Sequence, residues 1–258
     1  MSMESEEQLA EGSLVSHLVE LRSRLIRSAL SILLIFVCLI PFAEQTFTIV
    51  ATPLMERLPE NATMIATQVA SPFLTPFKTS LFVAVFLSMP VILYQVWGFI
   101  APGLYRKEKR FASPLLISSI VLFYSGVAFA YFVVFPLMFG FFAAVSPEGV
   151  TMMTDISSYL DFILTIFFAF GLAFEVPIAT VMLVWSGLVS LEVLGKARAY
   201  VFLGAFVMGM LLTPPDAISQ TLLAVPVYLL YEAGLILAKV LGKQDDVSAS
   251  ADKTDSTD

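Results

Sequence analysis

Charge is scarce in this sequence, and so are the residues on which most soluble chemistry is built. Only 14% of its 258 residues are charged, with a single cysteine and a single histidine. An ordinary soluble domain is about 25% charged. Cys38 alone forms no internal disulfide, so it says nothing about redox compartment. With His17 the lone imidazole, the Cys/His spacings of a metal site are missing. No Gly-x-x-x-x-Gly-Lys cradle for phosphate is present either; Gly204 and Gly209 have the spacing, but Met210 follows. These absences argue against catalysis within the chain, whether metal-dependent or ATP-driven. No enzyme activity, metal or cofactor is expected.

What fills the space is apolar. Hydrophobic residues make up 58% of the chain, and its mean hydropathy is +0.88. The sequence predicts an all-α polytopic membrane protein with six transmembrane helices, at about 26–43, 79–105, 111–145, 162–188, 199–215 and 217–238. The membrane domain is expected over 14–240, after a polar lead (1–13) and before a disordered tail (241–258). The first apolar run follows a polar, glutamate-containing stretch and lacks a small-x-small cleavage site, so it is expected to stay as an anchor. A perpendicular helix needs about 20 residues to cross about 30 Å of hydrocarbon. Span five is marginal, and the bilayer is expected to thin around it.

Six spans put both termini on one side. With them inside, twelve of the fourteen Lys and Arg residues are inside, and only Arg57 and Lys78 are outside. That positive-inside bias makes both ends cytoplasmic. The net charge of −7 is a poor guide to partners, because much of the acid lies in the two tails. A long outer loop is expected at about 44–77, and another at 146–158.

Two carboxylates fall on the cytoplasmic side. Glu108 sits in the basic run Arg106-Lys107-Glu108-Lys109-Arg110 between spans two and three. Glu20 precedes span one, where Leu14, Leu18, Leu21 and Leu25 form one stripe of a helix, and His17, Glu20, Arg24 and Arg27 another. The expectation is an amphipathic helix at the inner surface, capped at Ser13. Each acid has a plain alternative: Glu108 offsets its basic neighbours, and Glu20 pairs with Arg24 for about 0.3–0.5 kcal/mol. Together, two carboxylates at an interface suit planar guanidinium groups, which they grip bidentately, better than lysines.

Polar points also occur at membrane depth. Glu175, in Phe174-Glu175-Val176-Pro177, is costly there as an ion, so it is read as a proton-handling acid, a polar spot for a partner helix, or a neutral acid bonded within the bundle. Pro177 should kink its helix. Thr213-Pro214-Pro215-Asp216 is expected to form the outer turn between the short spans, with Gln220 about one turn beyond. Ala205 and Gly209 make a small-x-x-x-small face for either a partner helix or packing within the chain. Prolines 90, 114, 136, 177 and 226 suggest a curved bundle on which other helices dock.

These motifs, in this order, resemble the TatC family, the multispanning receptor subunits of twin-arginine protein translocases. The resemblance runs from about Leu14 to Lys239. It rests on His17-Leu18-x-Glu20-Leu21-Arg22-x-Arg24-Leu25, on Pro90-x-x-x-Tyr94-Gln95-x-Trp97 through Gly103-Leu104-Tyr105-x-x-Glu108-Lys109-Arg110, on Phe174-Glu175-Val176-Pro177, and on Leu212-Thr213-Pro214-Pro215-Asp216-x-x-Ser219-Gln220. It implies a cupped six-helix fold in a bacterial inner membrane. It also implies a receptor for signal peptides bearing paired arginines, in proton-motive-force-driven export of folded proteins. By this resemblance Glu20 and Glu108 form the twin-arginine site, with Arg22, Phe99, Leu104 and Arg110 nearby. Met210, Thr213 and Gln220 dock single-span TatA- and TatB-like partners, Glu175 is the intramembrane acid, and Pro53 and Asp216 are outer functional positions. Several copies are expected in one complex. The rivals are an ion-coupled transporter of small cations, which would favour related halves with paired broken helices, and an intramembrane enzyme. No internal repeat and no nucleophile–base set supports either.

Overall fold

The computed structural model describes residues 3–55, 63–100, 112–145, 153–212 and 217–254. The chain gathers into two compact units, one of residues 1–53 and 68–116, the other of residues 54–67 and 117–258. Among the described residues, five helical segments are long and apolar enough to cross a membrane: His17–Ala51, Ser71–Phe99, Ser113–Phe142, Ile156–Trp185 and Ala217–Val240. A shorter apolar helix covers Arg198–Leu212. The fold is all-α and polytopic.

In the first unit, α1 runs unbroken from Met3 to Leu39. The amphipathic stretch and the first span are therefore one rod, and Ser13 lies inside it rather than capping it. Pro41 has no N–H to continue the ladder, and a 3-10 turn at Ile40–Phe42 leads into α2, Ala43–Met55. Much of what was expected to be outer loop is thus helical. α3, Ser71–Ile100, packs on α1 and carries Pro76 and Pro90 inside it. Its hydroxyls bond locally: Thr79 donates to the Thr75 carbonyl and Ser80 to the Pro76 carbonyl, both at 2.9 Å. Such back-bonding satisfies side chains where water is excluded. The apolar window of α1 has no buried residue; Leu18 and Leu25 of the predicted stripe are exposed.

The second unit is more tightly packed. α4, Ala112–Phe129, widens into a π turn at Ala130–Val134 before α5, Phe135–Val145. The widening comes directly before Pro136, whose missing N–H disrupts the regular ladder. Rings from this rod meet α6, Ile156–Ala173: Phe129 on Phe170, Phe135 on Phe167 and Phe139 on Tyr159, with centroids 5.1 to 5.6 Å apart. A Cβ at Gly126 would strike the Phe170 carbonyl, so glycine there lets α4 approach α6 backbone to backbone. α7, Val176–Trp185, begins after a break at Phe174-Glu175. The expected kink thus falls just upstream of Pro177, which sits in the first turn of α7, where its missing N–H costs nothing.

α8, Leu191–Lys196, and α9, Arg198–Leu212, precede α10, Ala217–Thr254, which packs on α7 and α9 and continues into the polar tail read as unstructured. α9 has 15 residues, about 22 Å of rise. A cavity of about 590 Å³ opens among Thr165, Ala169, Val176, Gly204, Met208 and Leu223. Two three-residue strands, β1 at Thr63–Ile65 and β2 at Met153–Asp155, pair in parallel with Ile65 opposite Asp155.

Candidate functional site

The face of α1 that carries His17, Glu20 and Arg24 is the one that meets the end of α3. These residues lie three and four apart, so helix geometry stacks them. The His17 ring stacks on Phe99, centroids 4.3 Å apart and 23° between planes. Arg24 Nε and Nη2 both donate to Glu20 Oε1, at 3.0 and 2.5 Å. The Arg24 guanidinium lies where a Cβ on Gly98 would be, so the absent side chain makes its seat. Arg24 is 20% exposed and Glu20 37%. The local pairing considered for Glu20 is therefore present, and it occupies the very carboxylate expected to grip a ligand.

Phe99 comes to this cluster as the resemblance implied. Arg22 is exposed and two residues from Glu20, on another side of the helix. Leu104, Glu108 and Arg110 lie outside the described residues, as do Thr213 and Asp216. The spacing of His17, Glu20 and Arg24 already puts all three side chains on one face, whereas nothing in the sequence singled out Gly98 as a notch.

At membrane depth, the Ser119 hydroxyl of α4 donates to Glu175 Oε2. The other oxygen, Oε1, is buried with no hydrogen-bond partner among the described residues. One half of the acid is thus satisfied within the unit and the other is not, which keeps a polar point in apolar surroundings. On α9 and α10, the small face of Ala205 and Gly209 is buried within the chain; a Cβ on Gly209 would lie 3.4 Å from the Gln220 carbonyl. That face packs within the chain. Met210, beside it, is 53% exposed and Gln220 half-buried. Pro53 falls in the last turn of α2.

Two further polar ties went unforeseen. Arg198 and Glu232 join α9 to α10 with Nε–Oε1 at 2.6 Å and Nη2–Oε2 at 3.0 Å, and the Tyr228 hydroxyl donates to the same carboxylate at 2.9 Å. Asp155 caps α6, accepting from the Ser157 and Ser158 N–H groups, and its second oxygen accepts from the Thr67 N–H at 2.9 Å and hydroxyl at 2.7 Å. The Thr67 and Ser158 N–H groups hold this carboxyl well below the usual carboxylate range. Asp-x-Ser-Ser was a legible cap signal.

A chain with five membrane-length apolar helices among its described residues, an acid at depth and an arginine–carboxylate cluster on its first helix is a polytopic membrane protein. The comparisons refine that class. A family model for the Sec-independent protein translocase protein TatC matches residues 16–226. The chain is 61% identical over 237 residues to the TatC of Azotobacter chroococcum mcd 1, covering 92% of this chain and 93% of that protein. It is 54% identical over 226 residues to the TatC of Escherichia coli K12, covering 88% of each. A crystal structure of the twin-arginine translocase receptor TatC aligns with a TM-score of 0.78 at 39% identity, over 87% of this chain and 98% of that one. The chain belongs to the TatC family, and it is a component of the Sec-independent, twin-arginine protein translocase. Its role is in protein transport.

Proposed function

We propose that the chain is the signal-peptide receptor and assembly platform of its translocase, with Glu20 and Glu108 selecting the arginine pair. The observation that carries this reading is the cluster on α1: Glu20 already holds a guanidinium at 2.5 Å, between a ring stack and a glycine notch. A carboxylate that seats one guanidinium has the geometry to seat another. Arg22, Phe99, Leu104 and Arg110 frame the ligand. The six-span topology, with both termini in the cytoplasm of a bacterial inner membrane, follows from the basic residues of the inner segments. The membrane domain spans 14–240, and several copies act together, driven by the proton-motive force.

TatA- and TatB-like single-span helices dock near Met210, Thr213 and Gln220. The exposure of Met210 supports this. Glu175, with one oxygen uncommitted, is a polar point for such a helix, while Pro53 and Asp216 act on the outer side. No observation favours a transporter of small cations.

The test is binding of an Arg-Arg signal peptide and its Lys-Lys twin to the detergent-solubilised chain. The Arg-Arg peptide should bind more tightly. Glu20→Ala and Glu108→Ala should each erase roughly tenfold of that preference, about 1.4 kcal/mol. Equal binding of the two peptides, unmoved by either change, would overturn the receptor reading. Photocrosslinkers at Met210, Gln220 and Glu175 should capture the single-span partners in membranes; labelling of lipid alone would refute the docking assignment.

A further inference from the structure

We propose that Arg24 is an internal stand-in for the ligand: it occupies Glu20 at rest, Gly98 seats it there, and an arriving guanidinium must displace it. This rests on the receptor reading and adds a resting state to it. Three observations converge. Arg24 directs two donors at one oxygen of Glu20, at 3.0 and 2.5 Å, with the same chemical group a twin-arginine ligand would present. Its guanidinium fills the space left by the missing side chain of Gly98, so the occupied state is built by two helices rather than by chance rotamers of one. And the pair lies within α1, four residues apart, so breaking it rotates side chains and disturbs no backbone contact. The His17–Phe99 stack beside it fixes α1 against α3 while the exchange takes place.

The consequence is quantitative. An internal occupant reduces the apparent affinity of every Glu20 ligand by the same factor, the fraction of time the carboxylate is open. It therefore sets a threshold for binding and leaves the ratio of Arg-Arg to Lys-Lys affinity alone. A helix pair of this kind, partly shielded, corresponds to roughly threefold. Such a threshold keeps the receptor from being held by weak basic segments.

Two variants in the full-length, detergent-solubilised chain test this by anisotropy of labelled Arg-Arg and Lys-Lys peptides. Arg24→Gln removes the occupant. Gly98→Ala keeps the arginine and its charge but puts a methyl group where the guanidinium sits. Each should tighten both peptides by roughly threefold with their ratio unchanged. The gain from Arg24→Gln should vanish in a Glu20→Gln background, which a simple loss of positive charge would not do. Weaker or unchanged binding in Arg24→Gln overturns the proposal, because Arg24 then supports the site or is idle. A gain that survives Glu20→Gln, or one absent from a folded Gly98→Ala, also overturns it in favour of net charge. Failure of the receptor reading looks different: the wild-type chain would show no Arg-Arg preference, and Glu20→Gln alone would change nothing.

Discussion

Two arginine–glutamate pairs in this chain use the same chemical groups and do opposite jobs. Arg24 and Glu20 lie within one helix, with both donors converging on a single oxygen. Arg198 and Glu232 lie on different helices and meet as a fork, each nitrogen on its own oxygen, with Tyr228 on the same carboxylate and Tyr231 bonded to the Leu194 carbonyl at 2.7 Å. Parallel fork bonds add geometric specificity. The first pair is exchangeable because it lies within one helix, so breaking it moves side chains and leaves the backbone in place. The second is a staple between α9 and α10. The glycines repeat the contrast. Gly98 faces the flexible end of Arg24, whereas Gly234 faces the Cα of Pro177 and the Cβ of Thr180, at 2.8 and 3.0 Å from where its own Cβ would be. A recognition surface has neighbours that can yield, and a scaffold has neighbours that cannot.

The largest effect that would sharpen this contrast is at Gly234. Adding a methyl group there pushes α10 off the first turn of α7, and neither the Pro177 backbone nor the Thr180 Cβ can rotate away. Overpacking of this kind costs about 1–3 kcal/mol, so Gly234→Ala should lower the thermal midpoint in detergent by several degrees. An unchanged midpoint would mean that the second unit is as yielding as the first, and the contrast would fail.

The tie at Asp155 gives a smaller, pH-coded effect. Like Arg198–Glu232, it joins distant segments, Thr67 to the start of α6. Its folded carboxyl titrates below the usual range because of the Thr67 and Ser158 N–H groups. A depressed folded value contributes stability that is present above the unfolded pKa, about 3.9, and lost as pH falls through the folded value. Protection from hydrogen exchange at Thr67 and Ser158, corrected for intrinsic rates, should therefore be flat from about pH 8 to about pH 5, persist near pH 4, and disappear in Asp155→Ala at any pH. Protection fading between about pH 7 and pH 5 would show that the tie is not held by an ionised acid.

How legible these features were depends on their range. The apolar runs, the helix face of His17, Glu20 and Arg24, and the small face of Ala205 and Gly209 are local patterns with helical periods, and they were readable. Prolines were half-readable. Pro177 marked a break but not its place at Phe174-Glu175, and Pro136 sits after a π turn that no residue pattern announced. The β1–β2 pairing, the Arg198–Glu232 fork and the Gly98 notch join residues 34 to 90 positions apart. Nothing local encodes such meetings. In the candidate site, the acid and the ring were named from the family's motif and the arginine paired with that acid from helix spacing, but the Gly98 seat for that arginine became visible only with α1 laid against α3.

The smallest expected effect is the most telling, because it uses the same substitution as the largest. Gly98→Ala adds one methyl group inside a helix, as Gly234→Ala does, and alanine favours the helix over glycine by about 0.5–1 kcal/mol at both positions. At Gly234 that gain is outweighed by backbone that cannot move. At Gly98 the three nearest atoms all belong to the Arg24 guanidinium, which swings toward water and gives up a local pair of about 0.3–0.5 kcal/mol. The two terms nearly cancel, so the thermal midpoint of Gly98→Ala should stay within about 2 °C of wild type. A drop as deep as that of Gly234→Ala would show that Arg24 is pinned rather than parked. The α1 pair would then belong to the scaffold like its counterpart between α9 and α10, and Glu20 would have no room to exchange one guanidinium for another.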